Sequence, residues 1–269
     1  MPRLPGTLFL RNLVERRSLL FQLVRRDFEQ RFVGSAVGWV WGLIHPLVLL
    51  LCYAFVFQIC FQTRLPASAM TQNYTLFLFA GMLPWLLFSE TVQRSSNSLL
   101  EHSNLITKTV FPAEVVPISI FLSSLVNHAL ALGLMIAAVA IVLNQISVML
   151  ILLPLYIFLI GMFAVGIGWI ASSLQVYLRD TSQVVTVMLT LWFWLTPIFV
   201  TEDQVPDDFR FLLTANPLAY IVGAYRKLLL SYNPPGLDET LLIATFSLTA
   251  FFVGGLFFRH LKRGFADVL

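Results

Sequence analysis

Hydrophobic residues run along this chain in long unbroken stretches. None of Asp, Glu, Lys or Arg occurs from Phe32 to Thr63, from Leu65 to Ser89, from Val115 to Leu178 or from Thr181 to Thr201. A bilayer-crossing helix needs about 17 to 25 such residues, so each stretch holds at least one span and the Val115–Leu178 stretch holds two. The pattern predicts helices over 34–61, 74–92, 115–143, 148–176, 184–200 and 241–258, an all-α integral membrane fold of six transmembrane helices. Asn144 and Gln145 mark the break between the third and fourth. Pro154 is expected inside the fourth, where neighbouring helices satisfy the freed carbonyl.

Two further segments carry a different pattern. Over residues 8–31, Leu10, Leu13, Leu20, Phe21, Val24 and Phe28 recur at helical spacing, with Arg11, Arg16, Arg17, Arg25, Arg26 and Arg31 elsewhere on the wheel. Such a helix lies in the membrane interface. It anchors on anionic lipid, or it also forms a ledge that touches a partner protein. This divides the chain into an N-terminal interface helix, 1–33, and a membrane domain, 34–269. Between the fifth and sixth spans stand Pro206, Asn216-Pro217 and a 13-residue run, Leu218–Leu230, interrupted by Arg226 and Lys227. That run is too short to cross, and reads as an outer re-entrant hairpin or as a surface amphipathic helix.

Composition agrees with the pattern: 58% of the residues are hydrophobic and 12% charged, which excludes a water-soluble globule. The net charge of +3 is a topology signal and not a nucleic-acid patch, because the basic residues sit at the ends of apolar runs. Of the 17 Lys and Arg, all but Arg64, Arg210, Arg226 and Lys227 fall on the side of the two termini, which places both termini in the cytoplasm. Cys52 and Cys60 are eight apart in one apolar run and form neither a metal pair nor a disulfide framework. No cleaved signal peptide is expected.

Catalytic chemistry is nearly absent. The chain has no HExxH, no GxSxG and no paired aspartates within the spans, and its four histidines, His45, His102, His128 and His260, are scattered. No metal or cofactor site is expected. No glycine opens a GxxxxGK[ST] loop, so the chain does not hydrolyse ATP by the P-loop mechanism on its own. Acidic and basic residues are missing from the span centres, which disfavours ion coupling. The spans are instead rich in aromatic rings: Trp39, Trp41, Tyr53 and Phe57 in the first, Trp85 in the second, Trp192 and Trp194 in the fifth. Trp39, Trp41 and Trp85 fit an interfacial belt.

Four segments in order carry a resemblance. They are Arg26-Asp27 with Gly34-Ser35-Ala36-Val37-Gly38-Trp39-Val40-Trp41 to Pro46; Asn104-Leu105-Ile106-Thr107-Lys108 to Phe111-Pro112; Arg179-Asp180 followed by Trp194-Leu195-Thr196-Pro197-Ile198; and Asn216-Pro217-Leu218. Together they resemble the membrane subunit of the ABC-2 exporters of O-antigen, capsule and teichoic acid polymers, with a slight preference for the O-antigen and teichoic branches. The resemblance implies a homodimer in the bacterial inner membrane, joined to two copies of a separate ATPase that carries ATP and Mg2+, and a lipid-linked polysaccharide as substrate. It assigns ATPase coupling to Glu101, His102, Asn104, Leu105, Lys108, Phe111 and Pro112. Arg26, Asp27, Arg31, Arg179 and Asp180 fall to the cytoplasmic gate or interface. The substrate pathway would be lined by Trp39, Trp41, Tyr53, Phe57, Trp85, Trp192, Trp194, Tyr220 and Tyr225, whose flat faces stack on sugar rings. A permease for a small lipophilic compound and a membrane-embedded sugar transferase are the competing classes.

Overall fold

The computed structural model describes residues 17–32, 35, 37–67, 69–108 and 111–268. Among these the chain is helical, without strands. The interface helix α1 covers Arg17–Phe32. Residues 8–16, predicted to open it, and Gly34 and Ala36 of the first motif lie outside the described residues. The first long helix is continuous from Gly38 to Cys60, with α2 (Trp41–Ala54) at its centre and a π-helical last turn over Phe55–Cys60. Next come α3 (Tyr74–Glu101), the short α4 (Ser103–Lys108), α5 (Val115–Leu143) and α6 (Leu153–Tyr177). Then follow α7 (Thr181–Leu195), α8 (Arg210–Thr214), α9 (Pro217–Leu230), α10 (Leu237–Leu261) and α11 (Phe265–Val268).

Among the described residues five helices are long and apolar enough to cross a bilayer: Gly38–Cys60, Tyr74–Glu101, Val115–Leu143, Val148–Tyr177 and Leu237–Gly264. The fifth predicted span, 184–200, differs, because its helix, α7, has only 15 residues and ends five residues before Val200. The second span runs past its predicted end at 92 because α3 carries its charged residues on a continuing helix, where Arg94 pairs with Asp27 of α1 at 2.5 Å. Asn144 closes α5 in the left-handed conformation, φ 50°, which Asn tolerates better than other side chains. Pro154 sits in the first turn of α6, where its missing N–H has no helical partner to lose, so no neighbour has to repair it.

The centre of the molecule is α3, which packs on α2, α5, α6, α7 and α9. In its most apolar window 78% of residues are buried, against 6% for the first helix, which lies on the outside. The most extensive helix pair is α6 with α10. They cross at Gly166 and Gly254, where a Cβ on either would run into a main-chain carbonyl of the other helix. Two apolar clusters follow. The larger joins α3, α5, α6 and α9. A smaller one lies at the pole where α3 ends, and there Leu99, Val116, Trp169, Phe258 and Phe265 receive Ile106 of α4 and Phe111. Polar contacts close the same pole: Lys262 pairs with Glu114 at 2.5 Å, the Trp169 indole donates to Glu114 O and the Tyr177 hydroxyl to Leu261 O, both at 2.9 Å.

Candidate functional site

A cleft of about 670 Å³ separates the first helix from α3, α5 and α7. Its walls combine aromatic rings, among them Trp41, Tyr53, Trp85, Phe193 and Trp194, with the polar side chains of His45, Glu90, Gln93, Asn127, Thr186 and Thr190. Asn127 Oδ1 is buried there without a hydrogen-bond partner among the described residues. Buried polar atoms are normally satisfied, so this acceptor calls for a donor that the described residues do not supply. Rings that offer flat apolar faces beside hydrogen-bonding groups suit a ligand that is itself apolar on its faces and polar at its rim.

The α7 wall has a built-in break. After Leu195 the chain leaves the helix, and in an apolar surrounding each carbonyl released must find a donor. All five in succession are served: Leu195 O by Asn216 Nδ2 at 3.3 Å, Thr196 O by Ile198 N at 2.7 Å, Pro197 O by Arg226 Nη1 at 2.8 Å, Ile198 O by Arg226 Nη2 at 2.6 Å, and Phe199 O by the Tyr74 hydroxyl at 3.0 Å. Arg226 is 5% exposed and also donates from Nε to Phe77 O at 3.3 Å, with its guanidinium 3.6 Å from the centre of the Phe77 ring. Gly81 leaves room for it, since a Cβ there would stand 2.7 Å from Nη2. At the other end of α9, Asn216 caps the helix through Leu218 N, accepts from the Trp192 indole at 2.8 Å and precedes Pro217 at the first helical position. The break in α7 and the whole of α9 are therefore tied together at two points.

A family model described as ABC-2 type transporter matches residues 18–230. The chain belongs to this family. It is 32% identical over 258 residues to an O-antigen export system permease protein of Klebsiella pneumoniae, covering 93% of this chain and 95% of that one. A protein of the same description from Myxococcus xanthus is 26% identical over 260 residues, 96% and 98% of the two chains. The polysialic acid transport protein of Escherichia coli is 23% identical over 240 residues, 88% and 91%.

Within this ABC-2 chain the residues singled out from sequence fall in different places. Trp41, Tyr53, Trp85 and Trp194 share the cleft. Trp39 is exposed beside it, and Phe57 stacks on Phe199 beyond its end. Trp192 turns inward between Phe88 and Phe163. Tyr220 donates to Thr214 O at 3.2 Å, and the fully buried Tyr225 hydroxyl meets His128 Nε2 at 3.2 Å, so neither lines the cleft. Glu101 ends α3 exposed and His102 Nδ1 lies 2.8 Å from Ser98 O. Asn104 and Lys108 are exposed on α4, Leu105 is half-buried, Phe111 packs into the smaller cluster and Pro112 is buried. Arg26 is exposed, Asp27 holds Arg94, and the side chain of Arg31 lies outside the described residues. Arg179 and Asp180 are exposed in the turn before α7, which Gln175 fastens by donating to Arg179 O and accepting from Ser182 N.

Sequence reasoning gave Asn127 and Phe199 no site role, took Asn216 only as part of a motif and took Arg226 only as an interruption of an apolar run. A signal existed for Arg226, since a cation within a run of apolar residues has to find partners. Nothing in the sequence identified which carbonyls it serves.

Proposed function

We propose that this chain is the membrane subunit of an ATP-driven exporter that carries a lipid-linked polysaccharide, of the O-antigen kind, from the cytoplasm to the outer face of a bacterial inner membrane. What carries this reading is the end-to-end likeness to relatives named as O-antigen export permeases, joined to a cleft of aromatic and hydrogen-bonding side chains. The alignment with the polysialic acid transport protein is shorter and of lower identity, which favours O-antigen over capsule.

On this reading the chain works as a homodimer. The cleft is open beside α2 and α7, whose free faces are apolar at Leu51, Phe55, Val187 and Leu191, and a second copy against them would enclose the path. The sixth crossing is made by α7 with its non-helical continuation. Thr186 donates to Gln93 and Phe199 O accepts from Tyr74, so the segment between them climbs along α3 from residue 93 to residue 74. Nineteen helical residues measure about 28 Å, close to the hydrocarbon thickness of a bilayer. With six crossings both termini are cytoplasmic, and α8 with α9 forms a re-entrant outer pair. Two copies of a separate ATPase, holding ATP and Mg2+, would dock on the cytoplasmic pole, where α4 presents Asn104 and Lys108.

The test is a pull-down of the tagged chain from its own membranes, with mass spectrometry of what co-purifies, beside polymer export in cells lacking the gene. A stoichiometric P-loop ATPase, together with lipid-linked polymer retained inside the deletion strain, is the expected result. A homo-oligomer without ATPase, or normal surface polymer in the deletion strain, would overturn the proposal.

A further inference from the structure

The cleft has one end bounded by Trp41, Gln93 and Thr186 and another bounded by Tyr53, Phe193 and Trp194. At the second end the ring of Phe199, itself 7% exposed, meets aromatic rings from both walls. Its centroid lies 5.0 Å from Tyr53 and 4.8 Å from Phe57 on the first helix, and 5.4 Å from Phe193 and 5.3 Å from Trp194 on α7. Residues 57 and 199 do not line the cleft; they stand across its end. The contacts mix stacked and edge arrangements, the geometry aromatic pairs prefer, so the five rings form one apolar cluster across this end of the cleft.

Phe199 reaches this position only because the chain leaves the helix at Leu195. Pro197, which has no N–H and disfavours a helical residue before it, makes the break, and donors from outside α7 hold the segment after it. Two of the five released carbonyls, those of Pro197 and Ile198, directly before Phe199, are bound by the single guanidinium of Arg226. The Arg226 guanidinium offers several N–H donors in one plane, and charge-assisted hydrogen bonds are stronger than neutral ones. Lysine, with one nitrogen, does not reproduce this fork.

We infer that Phe199 is the plug that closes the outer end of the cleft and that Arg226 is the positioning residue that holds it there through Pro197 and Ile198. The assignment of that end as the outer one, and the enclosure of the cleft's open side by a second copy, rest on the export reading above; the ring cluster across the end does not. A polymer in transit has to displace one ring, and α9 registers that displacement through Arg226. This places α9 and the plug on one mechanical unit.

The experiment reads access instead of transport. In the full chain carrying Cys52→Ala and Cys60→Ala, Thr190→Cys places one thiol on the cleft wall. A membrane-impermeant maleimide is applied to sealed vesicles from the face opposite a C-terminal tag. Slow labelling is expected with Phe199 present, at least about tenfold faster labelling in Phe199→Ala, and an intermediate rate in Arg226→Lys. Phe211→Ala, an exposed ring on α8, should leave the rate unchanged. Equal rates with and without the Phe199 ring, or fast labelling of the parent from that face, would overturn the plug. Unchanged labelling in Arg226→Lys would remove Arg226 from the assignment. If Arg226→Lys does not accumulate, Phe199→Ala decides alone. Failure of polymer export with this labelling pattern intact would count against the exporter reading and leave the plug standing.

Discussion

Asn216 does more than any neighbouring side chain of its size. Its Oδ1 accepts from Leu218 N and from the Trp192 indole, and its Nδ2 donates to Leu195 O and Thr196 Oγ1. Removing it strips the cap from α9 and leaves the partly buried Trp192 indole N–H and Leu195 carbonyl without this partner. Asn216→Ala should therefore lose about 2 to 4 kcal/mol, the cap plus the partial cost of two half-solvated polar groups. Asn216→Asp keeps the acceptor and should lose less. Thermal unfolding of the detergent-solubilised protein measures both, and equal midpoints for Asn216→Ala and the parent would show that these bonds contribute nothing. The Asn-Pro pair was legible in sequence as a helix start, because Asn caps and Pro opens a helix. Its partners were not, since Trp192 and Leu195 are brought to it only by folding.

At the scale of the element, α4 shows where force from a partner would enter. It exposes Asn104 and Lys108 while Ile106 and Phe111 sink into the cluster of α3, α5, α6 and the C-terminal helices. A push on α4 is thus delivered first to this cluster, and not directly to the first helix or α7, because packed side chains move together. Lys108→Glu should weaken association with the ATPase and leave the folding of the chain unchanged. Phe111→Ala should leave association intact while lowering transport per ATP hydrolysed. ATPase pull-down and export assays on the two variants separate these effects; identical behaviour of both with the parent would remove α4 as the coupling element. The loop was readable as a short helix from its Pro and Lys residues. That the C-terminal Phe265 buttresses it was not, since Phe265 stands 157 positions after Lys108.

For the whole molecule, the free apolar faces of the first helix and α7 flank the open side of the cleft. Leu191→Cys, at an exposed position of α7, should cross-link two copies in native membranes with a short bifunctional maleimide, and exposed Leu256→Cys on α10 should not. Cross-linking at Leu256 alone would place the second copy on the wrong face. The sequence by itself determined the membrane class, the positions of five long spans to within a few residues apart from the C-terminal end of α3, and the family, because unbroken apolar length and an ordered set of local motifs are written along the chain. It read the fifth run as an ordinary helix through to Val200, although Pro197 marks a stop within it. What the chain does after that stop was decided only by the tertiary structure. Pro197 ends α7, because it has no N–H and disfavours a helical Thr196 before it; the extended segment that follows is held because Arg226, Asn216 and Tyr74 arrive from distant positions to satisfy its carbonyls. Trp192 and Trp194, two apart, point to opposite sides of the helix, and packing decided which of them meets the cleft.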